Sequence, residues 1–126
     1  MKEEQEITGA LVDIFLQVHK ELGPGLLESV YEEAICFELA LRGISFVRQQ
    51  GIRVNYKKQK LGLGFRADII VCDKVIVEVK SIEQTAPVHF KTLLTYLRLT
   101  NLQAGLLVNF NVNLIKEGIK RVVNGI

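Results

Sequence analysis

The sequence predicts an α/β fold: a mixed four-stranded sheet flanked by helices, in the order α-α-β-β-β-α-β-α. Three observations carry this. Apolar residues recur at helical spacing in the first third of the chain. The middle then switches to β-branched and aromatic runs broken by short turns, and a helical pattern separates the third strand from the fourth. The chain has 126 residues, room for one hydrophobic core, so residues 1–126 read as a single domain.

Ile7, Ala10, Leu11, Ile14, Phe15, Val18 and Leu22 share one stripe, which predicts an amphipathic helix over residues 4–22. Gly23-Pro24-Gly25 ends it, because proline cannot continue the hydrogen-bond ladder. A second helix is expected over 26–42, with Leu27, Val30, Tyr31, Ala34 and Leu41 inward and Gly43 as its stop. Phe46, Val47, Ile52 and Val54 mark a strand running to Tyr56, with a bulge expected at Gly51. Lys57-Lys58-Gln59-Lys60 reads as a turn and Leu61 to Val71 as the returning strand. Asp73-Lys74 is a tight link into Val75–Lys80, which completes an antiparallel meander. After Pro87, a helix over 88–100 presents Phe90, Leu93, Leu94 and Leu97 on one face and leads to a short strand, Ala104 to Phe110. Such a crossover is right-handed and makes the third and fourth strands parallel. Leu114, Ile115, Ile119, Val122 and Val123 predict a final helix over 114–123.

Composition excludes several classes. Hydrophobic residues make up 48% and charged residues 24%, ordinary values for a soluble globular protein. The start, Met-Lys-Glu-Glu-Gln-Glu, holds no apolar region of a secretory signal, and charges interrupt every hydrophobic stretch before it could span a bilayer. A cytoplasmic location without membrane association is expected. Cys36 and Cys72 lack metal-ligand spacing and read as buried, reduced thiols.

The net charge of +2 hides an uneven distribution. Nine of the 14 acidic residues fall within the first 38 positions. From Leu39 to Ala67 there is none, while Arg42, Arg48, Arg53, Lys57, Lys58, Lys60 and Arg66 are all basic. Two readings stand: contact with nucleic-acid phosphates, or a solvated hairpin rim whose lysines blunt exposed strand edges.

The residues that carry chemistry lie in Phe65–Val71 and Val75–Ser81. Alternate residues of a strand share a face, so Glu78 and Lys80 point the same way and interrupt an apolar run. A charge there is costly unless it is paired or metal-bound. Counting back from the turn at 73–74 puts Asp68 near the level of Glu78, so the two carboxylates converge. Oxygen ligands of this kind suit Mg²⁺ or Mn²⁺, and Lys80 would orient a water or stabilise the transition state. The competing reading is a cross-strand salt bridge on a solvated face.

Asp68 followed after nine residues by Glu78-Val79-Lys80 resembles the signature of the PD-(D/E)xK nuclease superfamily, with its restriction-endonuclease-like core. Gly25-Leu26-Leu27-Glu28-Ser29-Val30-Tyr31 resembles the motif that names the GxxExxY protein family within it. The similarity continues through Pro87-Val88-His89, Leu94–Leu99, Gly105–Phe110 and Gly118–Arg121. It implies that Asp68, Glu78 and Glu28 hold a metal ion, with the Val79 carbonyl as a further ligand, and that Lys80 is the catalytic lysine. Glu28 also fits a first-turn acid favoured by the helix dipole. Tyr31, His89, Thr92 and Tyr96 are candidates for positioning substrate, although Tyr31 also reads as core with its hydroxyl on a polar partner. Related nucleases often carry glutamine four residues before the tyrosine of the helix after E-x-K. Thr92 stands there instead, which implies altered positioning or lost activity.

The expectation is therefore a Mg²⁺- or Mn²⁺-dependent nuclease acting on DNA or RNA, with Arg53, Lys57, Lys58, Lys60 and Arg66 tracking the backbone. Its rivals are an inactive nucleic-acid-binding module on the same fold and a protein-interaction subunit. A chain this small would need a partner protein or a second protomer to grip a duplex.

Overall fold

A computed structural model describes residues 3–125, so the first two residues of the charged N-terminal run lie outside them. Two helices, α1 (Glu4–Leu22) and α2 (Glu28–Leu41), precede a meander of β1 (Phe46–Tyr56), β2 (Gln59–Val71) and β3 (Val75–Lys80). Helix α3 (Pro87–Thr100) then crosses to β4 (Ala104–Asn109), followed by the single turn α4 (Ile115–Gly118) and β5 (Ile119–Val123). The sheet order is β1-β2-β3-β4-β5. Among the described residues only the β3–β4 pair is parallel, as the crossover helix requires. Mixed topology flanked by helices agrees with the predicted restriction-endonuclease-like core.

The expected final helix over 114–123 is the main correction. Its last five residues form a fifth strand, with Val108 opposite Ile119 and Ala104 opposite Val123. The apolar spacing fitted a helix, but three of those five residues are β-branched, and β4 offers an open edge that they pair. Gly118 makes the approach possible: a Cβ there would lie 2.1 Å from the Asn109 carbonyl oxygen. Smaller differences concern the first hairpin. Lys57 and Lys58 both adopt positive φ, giving a two-residue turn that closes on the pair Tyr56 and Gln59. The register shifts lie between Ile52 and Asn55 instead of at Gly51.

The sheet buries both faces, which explains why β3 and β4 are almost continuously apolar. On one side α1 and α2 pack Leu11, Phe15, Tyr31 and Ile35 against Ile69, Val77 and Val108. On the other, Leu93 and Leu97 of α3 cover Ile70, Ile76 and Leu107. Each such fully buried side chain contributes about 1.5–3 kcal/mol. Alternation along β3 sends Val75, Val77 and Val79 to the first side and Ile76, Glu78 and Lys80 to the second. No helix of the described residues is long and apolar enough to cross a membrane.

Candidate metal centre in a strand fork

The β2–β3 ladder closes over only three pairs: Ile69 with Val77, Ile70 with Ile76, and Val71 with Val75. One step further the strands separate, and carboxylates take over the freed backbone donors. The Asp68 N–H donates to Glu78 Oε2 at 2.9 Å, and the Val79 N–H donates to Asp68 Oδ2 at 2.8 Å. Each acid thus caps the opposite strand, which fixes both carboxylates in the mouth of the fork.

Strand β2 also rolls over at this point. Ile69 and Val71 face α1 and α2, yet Ala67 packs with Ile70 on the α3 side. Strict alternation would have placed Ala67 with Ile69. The partner strand distorts opposite Asp68: Arg48 pairs with Ile69 and Gln50 with Ala67, while Gln49 between them sits at φ 54°. That left-handed conformation is rare for a residue with a Cβ. It turns the Gln49 amide inward, where Nε2 donates to Glu32 Oε1 at 2.6 Å and to Asp68 Oδ1 at 3.3 Å.

Glu32 and Gln49 were not singled out from the sequence. Glu32 is buried on α2 and also accepts from Arg48, at 3.1 Å from Nε and 3.0 Å from Nη2. A signal was present. Ile35, Cys36 and Leu39 follow Glu32 at three, four and seven residues, so an acid occupies the apolar stripe of its helix.

Glu28 begins α2 and its Oε2 accepts the Ser81 N–H at 3.1 Å, while Ser81 Oγ donates to the Leu26 carbonyl at 2.6 Å. Across the loop after β3, Asn109 Oδ1 accepts from the Ile82 N–H and Asn109 Nδ2 donates to the Ile82 carbonyl. The segment that follows Lys80 is thereby strapped to the α1–α2 turn and to the end of β4.

The electrostatics match a cation site. Burial, and secondly the charge of Asp68, pushes the Glu78 carboxyl up to about 8. Burial also raises Asp68, against the Val79 N–H that favours its charged form. The Lys80 charge lowers both but does not offset their burial. Among the described residues Glu78 Oε1 accepts no hydrogen bond, and no buried side-chain oxygen lacks a partner, so Oε1 reaches the surface. Two hard oxygen donors, desolvated and mutually repelling, fit a divalent cation. Among the described residues no group of three or more acids, histidines or cysteines is placed to hold a metal ion, so Glu28, which accepts the Ser81 N–H, does not join Asp68 and Glu78 as a third acidic ligand; Mg²⁺ commonly completes its shell with water and phosphate oxygens.

The other predicted residues are distributed as follows. Tyr31 is fully buried, stacked on Phe110 with ring centroids 4.3 Å apart. Its hydroxyl donates to the Gly23 carbonyl at 2.6 Å and accepts the Leu26 N–H. It braces the turn that delivers Glu28. His89 closes the start of α3, its Nδ1 accepting the Ala86 N–H at 2.8 Å. Thr92 is exposed on α3. Tyr96 stacks on Phe65 at 3.7 Å and is raised by burial and then by the charges of Glu78 and Asp68, which places it beside the fork. Arg66 is exposed two residues before Asp68, whereas Arg53, Lys57, Lys58 and Lys60 lie out along the hairpin.

A family model described as PD-(D/E)XK nuclease superfamily matches residues 5–122, from α1 into β5. No curated protein and no solved structure matches the chain. With the match spanning nearly the whole sequence, the chain belongs to the PD-(D/E)XK nuclease superfamily.

Proposed function

We propose that the chain is a divalent-metal-dependent nuclease that hydrolyses phosphodiester bonds of DNA or RNA. The observation that supports this most is the fork, where the Asp68 and Glu78 carboxylates are fixed by each other's backbone with Lys80 on the same strand face as Glu78. Members of the superfamily generally use divalent metals; Asp68 and Glu78 would hold Mg²⁺ or Mn²⁺, with the Val79 carbonyl as a further oxygen donor. When bound, the ion supplies charge neutralisation at phosphate and a lowered water pKa.

The chain's own groups supply the rest. Lys80, on a strand end held by the strapped loop, orients the attacking water and stabilises charge that develops on the phosphoryl oxygens. Arg66 contacts phosphate next to the fork, and Arg53 and Lys60 continue that path along the hairpin. Tyr96, on its Phe65 platform, borders the nucleotide next to the scissile bond; His89 and Thr92 line the same helix. A second reading, a binding module without catalysis, draws on exposed Thr92 and on the incomplete ligand cage.

Purified protein with Mg²⁺ or Mn²⁺ is expected to cut at least one of single-stranded or duplex DNA or RNA, with cutting abolished by chelator and strongly reduced by Lys80→Ala. Failure to cut any of these at high enzyme excess, with binding retained, would favour the binding module.

A further inference from the structure

The two ends of the first hairpin differ in what they cover. Every residue from 55 to 64 is exposed, so the distal hairpin is a free two-stranded ribbon. Its register assigns the faces. Tyr56 is paired with Gln59 and Leu61 follows Gln59 by two residues, so these two large side chains share one face, whereas the register shift between Arg53 and Asn55 puts Leu63, opposite Arg53, on the other face with Lys60. Tyr56 and Leu61 are 60% and 45% exposed. Lys57 and Lys58 form the turn at the tip, and Lys60 stands on the opposite face beside Asn55. A ribbon that tracks phosphate alone has no use for an uncovered apolar face.

On the helical side of the molecule, α1 and α2 enclose a groove of about 770 Å³ that is open to solvent. Val18, Leu22, Val30, Ala34 and Phe37 line it with apolar surface, and Phe37 is 63% exposed. Its remaining lining includes Glu21, Glu33 and Glu38, with Lys20 the one cation. No residue of the ribbon lines this groove, so within one chain both surfaces stay uncovered.

We infer that the ribbon tip of one chain docks in the α1–α2 groove of a second copy. Tyr56 and Leu61 would cover the apolar floor, and Lys57 and Lys58 would meet Glu33 and Glu38 at the rim. The pairing is argued from complementarity of both kinds at once: apolar face with apolar floor, and an acid-free basic tip with a predominantly acidic rim. Lys60 and Arg66 stay outside the contact and available to phosphate. The inference does not depend on the metal fork, so either can fail alone.

Sedimentation equilibrium over a wide concentration range tests it. Wild-type chain is expected to associate, less strongly as salt rises. Glu33→Lys with Glu38→Lys, and separately Lys57→Glu with Lys58→Glu, should each weaken association by at least about tenfold. The four substitutions combined should restore it, because the reversed ribbon then meets a reversed rim. Lys57, Lys58 and Glu33 are exposed and Glu38 is half-buried, and circular dichroism verifies that each variant is folded. A wild type that stays monomeric throughout overturns the inference, and if its nucleic-acid binding falls on Lys57→Glu with Lys58→Glu, the tip is a phosphate contact instead. Association that survives either double substitution, or that the fourfold variant does not recover, rules out the ribbon as the occupant.

Discussion

Strands β2 and β3 behave in opposite ways within a few residues of each other. Where Ile69–Val71 face Val75–Val77, the ladder is closed, every side chain is buried and nothing is charged. One step on, Asp68 and Glu78 replace the ladder, the strands part, and two desolvated carboxylates face one another. The closed half is built for stability, the forked half against it. A fold can hold such a repulsive pair because the adjoining ladder and its two covering layers over-determine the backbone.

This contrast can be broken by substitution, and the largest stability effect belongs to the closed half. Ile76→Ala opens a cavity between β3 and α3 and should cost about 2–5 kcal/mol in urea unfolding, with metal affinity nearly unchanged. The forked half should respond in the reverse sense. Lys80→Ala is expected to lower the cleavage rate by about 10²–10³-fold while unfolding shifts by no more than about 1 kcal/mol. If Lys80→Ala unfolds the protein instead, the residue is structural.

The pH dependence of the apo protein sharpens the same comparison. Glu78 titrates near 8 when folded against an ordinary 4.5, so the folded state binds the extra proton between those values. A raised carboxyl pKa means that its favourable contribution is complete below about pH 4.5 and is lost as pH rises towards 8. Glu78→Gln keeps an oxygen for the Asp68 N–H and removes the charge. It should therefore match wild type near pH 4.5 and exceed it at pH 8 by an amount on the order of a few kcal/mol. Parallel stability curves at all pH values would contradict a buried, repelled Glu78.

The smallest effect concerns the ribbon. Lys57 and Lys58 hold left-handed backbone that asparagine and glycine adopt more readily. Lys57→Asn with Lys58→Gly should stabilise the hairpin by about 0.5–1 kcal/mol, readable as a rise in the unfolding midpoint without a change in the fork.

The fork was legible in the sequence because strand geometry is local: period two, a tight turn at Cys72–Lys74 and a count of residues place Asp68 opposite Glu78. The crossover and the parallel pair followed from the same local patterns. Strand β5 was not legible, since Ile115, Ile119 and Val122 also fit a helix, and only the open edge of β4 and the close approach at Gly118 decide between them. Glu32 was hidden among the acids of α2 because its burial depends on Arg48 and Gln49, which arrive from a different element. His89 invited a reading as a substrate-positioning residue, yet the Ala86 N–H claims its Nδ1 for the start of α3, a contact that spacing alone does not reveal.

The measurement that bears most directly on the fork is calorimetric titration of Mn²⁺ into wild-type protein and into Glu78→Ala, at a pH near 7. The account predicts saturable binding to wild type, accompanied by proton release as the Glu78 carboxyl ionises, and none to the variant. Equal binding to both, or no binding to wild type even with a nucleic-acid substrate present, would contradict the fork as a metal centre.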